Sequence, residues 1–268
     1  MKYKLFITDY DGTLGIAPKN DIDSETLLAI NKFIEKGGIF VVCSGRETGS
    51  ITKILRSAGL KGLVASFQGA RISDIESGKY IFNGGLKAEQ AIEVYNALKD
   101  SGLAPLGYGE SEIFYPRKND YIKHYEVNVG IQGRIVDMEE ELLKQDGNVS
   151  KICFLGDDVL VNQKVDEMNE LFKDKHIKFN SGATCLLEAI NPDCGKGQAV
   201  KFIADYYGIP LSEVITVGDS TNDIDLVQGE WHGVAVGDAR EELKAVAKEI
   251  TVPFKDKPVK TLLEKYCL

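Results

Sequence analysis

Near the start of the chain, Lys4-Leu5-Phe6-Ile7-Thr8 is an apolar run of strand length that ends abruptly on Asp9-Tyr10-Asp11-Gly12-Thr13. Side chains two apart in a strand share a face, so the spacing predicts that both carboxylates emerge together at the strand's carboxyl end. Gly12 lets the backbone turn tightly and expose its amides. Two close carboxylates repel, which raises a pKa or recruits a cation. A lone Asp-Gly after a strand is an ordinary acidic turn; here three later segments supply what such a pair lacks.

Apolar strands and amphipathic helices alternate from this point. Ser24 reads as a helix N-cap, with Leu27, Ile30 and Ile34 on one face and Gly37-Gly38 as the stop. A strand over 39–43 ends at Ser44-Gly45-Arg46, a helix carries Ile51, Ile54 and Ala58, and 62–67 reads as a third strand. This rhythm predicts an α/β fold with a Rossmann-like parallel-sheet core. After about residue 70 it changes. A hairpin over 72–83 turns at Gly78, a helix carries Ala91, Val94, Tyr95 and Leu98, and 104–136 reads as short strands and loops. A strand over 151–155, a helix with Val165, Met168 and Phe172, and a strand near 176–180 complete an α+β insert. From Gly195 the first rhythm resumes, with a helix opened by Lys196, a strand over 214–217 ending on Gly218-Asp219, further short strands over 233–237 and 250–252, and two closing helices. The expected division is a discontinuous core, 1–82 with 187–268, and an insert over 83–186.

With 268 residues the chain is long enough for one large domain or two ordinary ones. Its 41 acidic against 32 basic side chains give a charge of −9, and no basic block stands out, so nucleic acid and anionic membranes are not expected partners. Apolar runs such as 39–43 are too short to span a bilayer, and Asp9 interrupts any signal-peptide core. Cys43, Cys153, Cys185, Cys194 and Cys267 are odd in number and lack CxxC spacing, which points to a reduced, cytoplasmic chain without disulfides or zinc. The expected state is a monomer or small homo-oligomer.

In parallel sheets, ligands bind outside the carboxyl ends of the strands, where helices present their amino termini. Asp9 and Asp11 lie at one such end. Ser44 and Gly45 lie at a second, read as an anion site at a helix start. Gly218-Asp219-Ser220-Thr221-Asn222-Asp223 lies at a third, and Lys196 supplies a fixed positive charge. Asp9, Asp11, Asp219 and Asp223 cannot share a site as bare anions, and Mg²⁺ suits carboxylates together with a phosphate oxygen. A metal and a lysine accepting a phosphoryl dianion favour phosphoryl transfer.

DYDGTL, the CSGR segment, Lys196 and GDSTND resemble the four motifs of the haloacid dehalogenase superfamily, and the long insert resembles the C2-type cap of its Cof-type (subfamily IIB) phosphatases. The resemblance implies a Mg²⁺-dependent phosphatase of small phosphorylated metabolites, sugar phosphates above all. It implies Asp9 as nucleophile and Asp11 as the acid that protonates the leaving alcohol and then activates water. It places the metal on Asp9, the backbone carbonyl of Asp11, and Asp219, with Asp223 close by, and the phosphate on Ser44, the amides of Gly45 and Tyr10, Asn222 and Lys196. A phosphomutase or phosphotransferase shares this chemistry, and a receiver-like signalling module also phosphorylates an aspartate. The second aspartate and the insert argue against the module.

Three positions depart from the common pattern. Tyr10 stands where an aliphatic residue is usual, Gln68-Gly69-Ala70 stands in place of Asn-Gly-Ala, and Ser44 replaces threonine. Arg46 reads equally as a phosphate helper or a helix-start ion pair. His124, His176 and His232 lack metal spacing and read as surface or structural. Trp231 reads as packing. Arg117, Lys118, Lys123 and His124 form a basic patch in the insert, read as solvated charge before a reader of the leaving group.

Overall fold

The structure, a computed structural model, describes residues 1–16, 19–109, 112–145, 148–181 and 185–268. The chain divides into two compact units, one of Met1–Phe82 with Gly195–Leu268 and one of Asn83–Cys194.

The first unit opens with β1 (Leu5–Thr8), α1 (Ser24–Glu35), β2 (Ile39–Cys43), α2 (Thr48–Ser57), β3 (Leu63–Ser66), β4 (Arg71–Asp74) and β5 (Tyr80–Asn83). The second unit contributes α3 (Ala88–Leu98), β6 (Ala104–Tyr108), β7 (Ile113–Tyr115), α4 (Asp120–Val129), β8 (Gly133–Ile135), α5 (Met138–Leu143), β9 (Ile152–Leu155), α6 (Asp158–Leu171), β10 (Lys178–Ser181) and β11 (Leu186–Ile190). The chain then returns through α7 (Lys196–Tyr206), β12 (Val214–Gly218), α8 (Ile224–Val227), β13 (His232–Ala235), α9 (Glu241–Val246), β14 (Glu249–Ile250) and α10 (Pro258–Tyr266).

The first unit's sheet runs β14-β13-β12-β1-β2-β3-β4-β5, parallel from β14 through β3, with β4 antiparallel to β3. The central strands β1, β2, β3 and β12 are covered on both faces, which is why they are largely apolar. Phe6 of β1 packs with Ile30 and Phe33 of α1, Ile51 and Leu55 of α2, and Leu262 of α10. Leu5 and Ile7 point the other way, onto Ala199, Val200 and Ile203 of α7 and onto Trp231. The register sets Thr8 beside both Val217 and Val42, so β1, β2 and β12 end level. Asp9, Ser44 and Asp219 leave the sheet at one edge for this reason.

The second unit's sheet runs β10-β11-β9-β6-β7-β8, antiparallel except for the β7–β8 pair. Ile152 and Phe154 of β9 and Leu187 and Ala189 of β11 pack with Val94 and Leu98 of α3, Leu142 of α5, and Val161 and Met168 of α6.

Four expectations need correction. Residues 187–194 belong to the second unit, because β11 pairs with both β9 and β10. The stretch 104–136 holds a helix, α4, capped by Asn119, whose side chain accepts from Ile122 N, and ended by Gly130 in the left-handed region. Its buried face is Ile122 and Glu126, so one of the two inward residues is charged and the apolar periodicity is lost. Asp23, not Ser24, caps α1, accepting from the amides of Glu25 and Thr26. α2 begins at Thr48 with Glu47 as its cap, so Ser44 and Gly45 lie in the preceding loop. Within the expected loop 15–23, residues 17 and 18 lie outside the described residues, as do 110–111 of the 104–136 stretch. Among the described residues no helix is long and apolar enough to cross a membrane. All five cysteines are free, and Cys43 is core filling.

Candidate active site

Lys196 is the first residue of α7, and its side chain is withdrawn from solvent. Its Nζ donates to Oδ1 of Asp9 and to Oδ1 of Asp223, each at 2.5 Å. Asp225 holds the helix start that carries this lysine, accepting from Gly197 N at 3.0 Å. Asp223 is fixed in turn by the amides of Asp219 and Ser220, both 3.1 Å from its Oδ2. Thr13 Oγ1 donates to Oδ1 of Asp219 at 2.9 Å. Gly12, at φ +81°, brings the backbone so close that a Cβ there would lie 2.6 Å from Oδ2 of Asp219. The Asp-Gly turn therefore has a steric reason as well as a conformational one.

Carboxylate oxygens of Asp9, Asp219 and Asp223 all lie within 4.8 Å of one another. Burial, with Asp223 close by, pushes the Asp9 carboxyl up to about 8, despite Lys196. Burial and Asp223 likewise push Asp219 up to about 6. Lys196 is raised above the ordinary lysine range: burial alone would lower it, but the two carboxylates outweigh that. One lysine thus leaves the three carboxylates under-neutralised. Hard oxygen donors with spare charge, grouped this closely, fit Mg²⁺.

Asp11 does not join this group. The chain turns directly after Asp9, with Tyr10 O accepting from the amides of Leu14 and Gly15. Asp9 is buried on Lys196, whereas Asp11 is partly exposed and paired with Arg46, and its charge still adds to the upward push on Asp219. Arg46 Nε lies 2.7 Å from Asp11 Oδ2, and its Nη2 lies 2.6 Å from Oδ1.

Ser44 is buried, and its Oγ accepts from Arg46 N at 3.2 Å. The Ser44–Arg46 loop is pinned from β3's end, where Gln68 N donates to Ser44 O and Phe67 N to Arg46 O. Phe67 and Gln68 adopt φ of 50° and 57°, left-handed values that non-glycine residues rarely take. The Gln68 carboxamide lies against Gly45, where a Cβ would come 2.6 Å from Nε2. Asn222 is exposed in the turn before α8. The sequence reading missed Thr13, Asp225 and the use of Gln68; each acts through a partner distant in sequence or through backbone.

Other residues fall outside the site. Trp231 is packing, its Nε1 donating to Leu226 O at 2.7 Å. His176 pairs with Asp193 and His232 with Glu249. In the basic patch, Lys118 pairs with Glu126 and Lys123 with Asp120, so two of its four residues are already paired within the insert.

A family model for haloacid dehalogenase-like hydrolases matches residues 6–263. An HMP-PP phosphatase of Escherichia coli is 26% identical over 250 residues, covering 93% of this chain and 89% of its own. The crystal structure of a haloacid dehalogenase-like hydrolase from Bacteroides thetaiotaomicron is 25% identical and superposes with a TM-score of 0.85 over 98% of this chain and 99% of that one. A HAD subclass IIB sugar phosphatase, 20% identical, shares the fold with a TM-score of 0.78 over 98% of each chain. With the match running from β1 to α10 and the strand-end carboxylates gathered around a buried lysine, the chain belongs to the haloacid dehalogenase-like hydrolases, in their Cof-type branch.

Proposed function

We propose that the protein is a Mg²⁺-dependent phosphomonoester hydrolase of small phosphorylated metabolites, sugar phosphates foremost, acting in the cytoplasm through a phosphorylated Asp9. The observation that carries this reading is the buried Lys196 bridging Asp9 and Asp223, with Asp219 within 4.8 Å. The carboxylates of Asp9, Asp219 and Asp223, with the Asp11 carbonyl, would hold the metal. Magnesium bound there would offset their charge and withdraw electron density from a phosphoryl oxygen.

An Asp9 carboxylate oxygen attacks phosphorus as the bond to the leaving alcohol breaks, and Asp11 gives that alcohol its proton. Asp11 then takes a proton from the water that attacks the phosphorylated Asp9, releasing inorganic phosphate. Lys196, Ser44 Oγ, the Gly45 and Tyr10 amides and Asn222 hold the phosphoryl oxygens throughout. The unit Asn83–Cys194 would be the cap domain of this reading. The similarity to an HMP-PP phosphatase and to a sugar phosphatase favours small phosphorylated substrates.

The test is phosphate release from a panel of phosphorylated metabolites with Mg²⁺, with EDTA and with Asp9→Asn. Release without an added acceptor, abolished by EDTA and by the substitution, is expected. Turnover that survives in Asp9→Asn rejects the nucleophile; turnover that requires a second alcohol makes the protein a phosphotransferase.

A further inference from the structure

Two features left over from the sequence meet in the fold: Tyr10, which stands where an aliphatic residue is usual, and Arg46, which had two competing readings. The guanidinium of Arg46 binds both oxygens of Asp11, Nε at 2.7 Å and Nη2 at 2.6 Å. Its Cζ lies 4.8 Å from the centroid of the Tyr10 ring. That ring is fully buried and packs so closely on Gly15 that a Cβ there would lie 2.6 Å from its Cζ. The Arg46 backbone is fixed as well, its N donating to Ser44 Oγ at 3.2 Å and its O accepting from Phe67 N at 2.9 Å. A long, entropically expensive side chain is thus held from the ring side and the backbone side, with its fork on one carboxyl group.

We propose that Arg46 is a positioning residue for Asp11, and that the Tyr10 ring is the platform that fixes it. The proposal rests on the reading of Asp11 as the proton donor. Asp11 is otherwise poorly restrained, being partly exposed and, among the described residues, hydrogen-bonded through its side chain only to Arg46. When phosphorus passes to Asp9, the bond to the leaving oxygen breaks, that oxygen takes the Asp11 proton, and Asp11 is left as the carboxylate that a guanidinium fork matches on both oxygens. A guanidinium engaged through that edge is a poor phosphate ligand and an effective brace. This assigns Arg46 a role different from phosphate contact and from a helix-start ion pair, and it gives Tyr10 a use beyond its amide.

The test exploits the leaving group. A p-nitrophenolate departs as an anion without a proton, whereas the alcohol of an alkyl phosphate needs one, so only the alkyl ester depends on a well-placed Asp11. kcat and KM are measured for p-nitrophenyl phosphate and for the best alkyl phosphate of the panel, in the parent, Asp11→Asn, Arg46→Ala, Arg46→Lys and Tyr10→Leu, with thermal melts to establish folding. Arg46→Ala should lose about 10²-fold more kcat on the alkyl than on the aryl ester, the scale of one proton-transfer contribution. Asp11→Asn should show the same selectivity. Arg46→Lys, lacking the fork, should recover only part of the loss, and Tyr10→Leu should move in the same direction by less. A loss in Arg46→Ala that is equal for both esters and lies in KM makes the residue a phosphate contact and overturns the proposal. So does a folded Arg46→Ala with parental kinetics. If Asp11→Asn is itself unselective, the underlying reading of Asp11 falls and takes the proposal with it. If Asp11→Asn is selective and Arg46→Ala is not, the proposal alone falls.

Discussion

Lys196 and Asp9 stand 187 positions apart in the chain, yet Nζ and Oδ1 meet at 2.5 Å with both side chains buried. The contact is possible because β1 and β12 are adjacent and end level, and because α7 starts beside them. A buried cation between two carboxylates cannot be removed cheaply, since what remains is uncompensated negative charge. Lys196→Met in the metal-free protein should lose about 3–5 kcal/mol of stability in urea unfolding. Mg²⁺ should restore part of that loss, because it supplies charge to the same carboxylates. A metal-free variant as stable as the parent would show that the lysine is not neutralising the pair.

The same crowding sets a pH dependence. Asp9 is pushed up to about 8 and Asp219 to about 6, from ordinary values near 3.8, by burial and by Asp223. Between about pH 4 and 8 the folded metal-free protein therefore binds more protons than the unfolded chain, and stability falls as pH rises through that window. The destabilisation is complete above about pH 8 and relieved on acidification. Thermal melts in EDTA should give a higher midpoint near pH 5.5 than near pH 8, and Asp9→Asn should flatten the slope. A midpoint that climbs across this window in EDTA would refute the account.

How much of this could be read from the chain depended on whether a residue's partner was near in sequence or whether its environment was uniform. The parallel core was legible because β1, β2 and β12 are buried on both faces and read as continuous apolar runs. Lys196, Asp219 and Asp223 were legible because polar residues at apolar strand ends stand out. The different settings of Asp9, buried on Lys196, and Asp11, partly exposed on Arg46, were not legible, because β1 ends at Thr8 and period-two alternation says nothing of burial beyond it. Helix α4 was hidden because Glu126 faces inward, bonded to Tyr115 Oη and Gly133 N, where an apolar residue would have marked the period. The β11 boundary was hidden because 187–190 is apolar enough for either sheet, and only its pairing with β9 and β10 decides.

Gly12 offers a sharp steric test. Its φ of +81° is strained for any side chain, and a Cβ would lie 2.6 Å from Asp219 Oδ2. Gly12→Ala should therefore cost about 1–2 kcal/mol of stability from the left-handed backbone, and it should also displace Asp219 from Thr13 Oγ1. The second effect is the diagnostic one: Mg²⁺ affinity measured by calorimetry should fall, whereas a surface control such as Gly37→Ala, also at positive φ but with open space around it, should leave it unchanged. Equal affinities in the two variants would mean that Gly12 matters only for its backbone angle.

The second unit carries its own buried ion pair. Lys151, just before β9, is hydrogen-bonded to Glu188 of β11, and its Nζ lies 5.0 Å from the centroid of the Tyr108 ring. Burial alone would lower the Lys151 pKa, but the Glu188 carboxylate more than reverses this and holds the ammonium charged. The pair lies on the face of the sheet opposite Ile152 and Phe154, because side chains alternate along β9. Breaking such a pair leaves one buried charge alone, whereas replacing both partners with apolar groups removes the desolvation cost together with the attraction. Lys151→Met should therefore lose about 3–5 kcal/mol, and Lys151→Met with Glu188→Leu should recover most of it. The measurement is a double-mutant cycle in urea followed by circular dichroism, with the two units allowed separate transitions. If the loss in the double variant equals the sum of the losses in Lys151→Met and Glu188→Leu alone, the coupling between Lys151 and Glu188 is negligible, and the ion pair does not stabilise this unit.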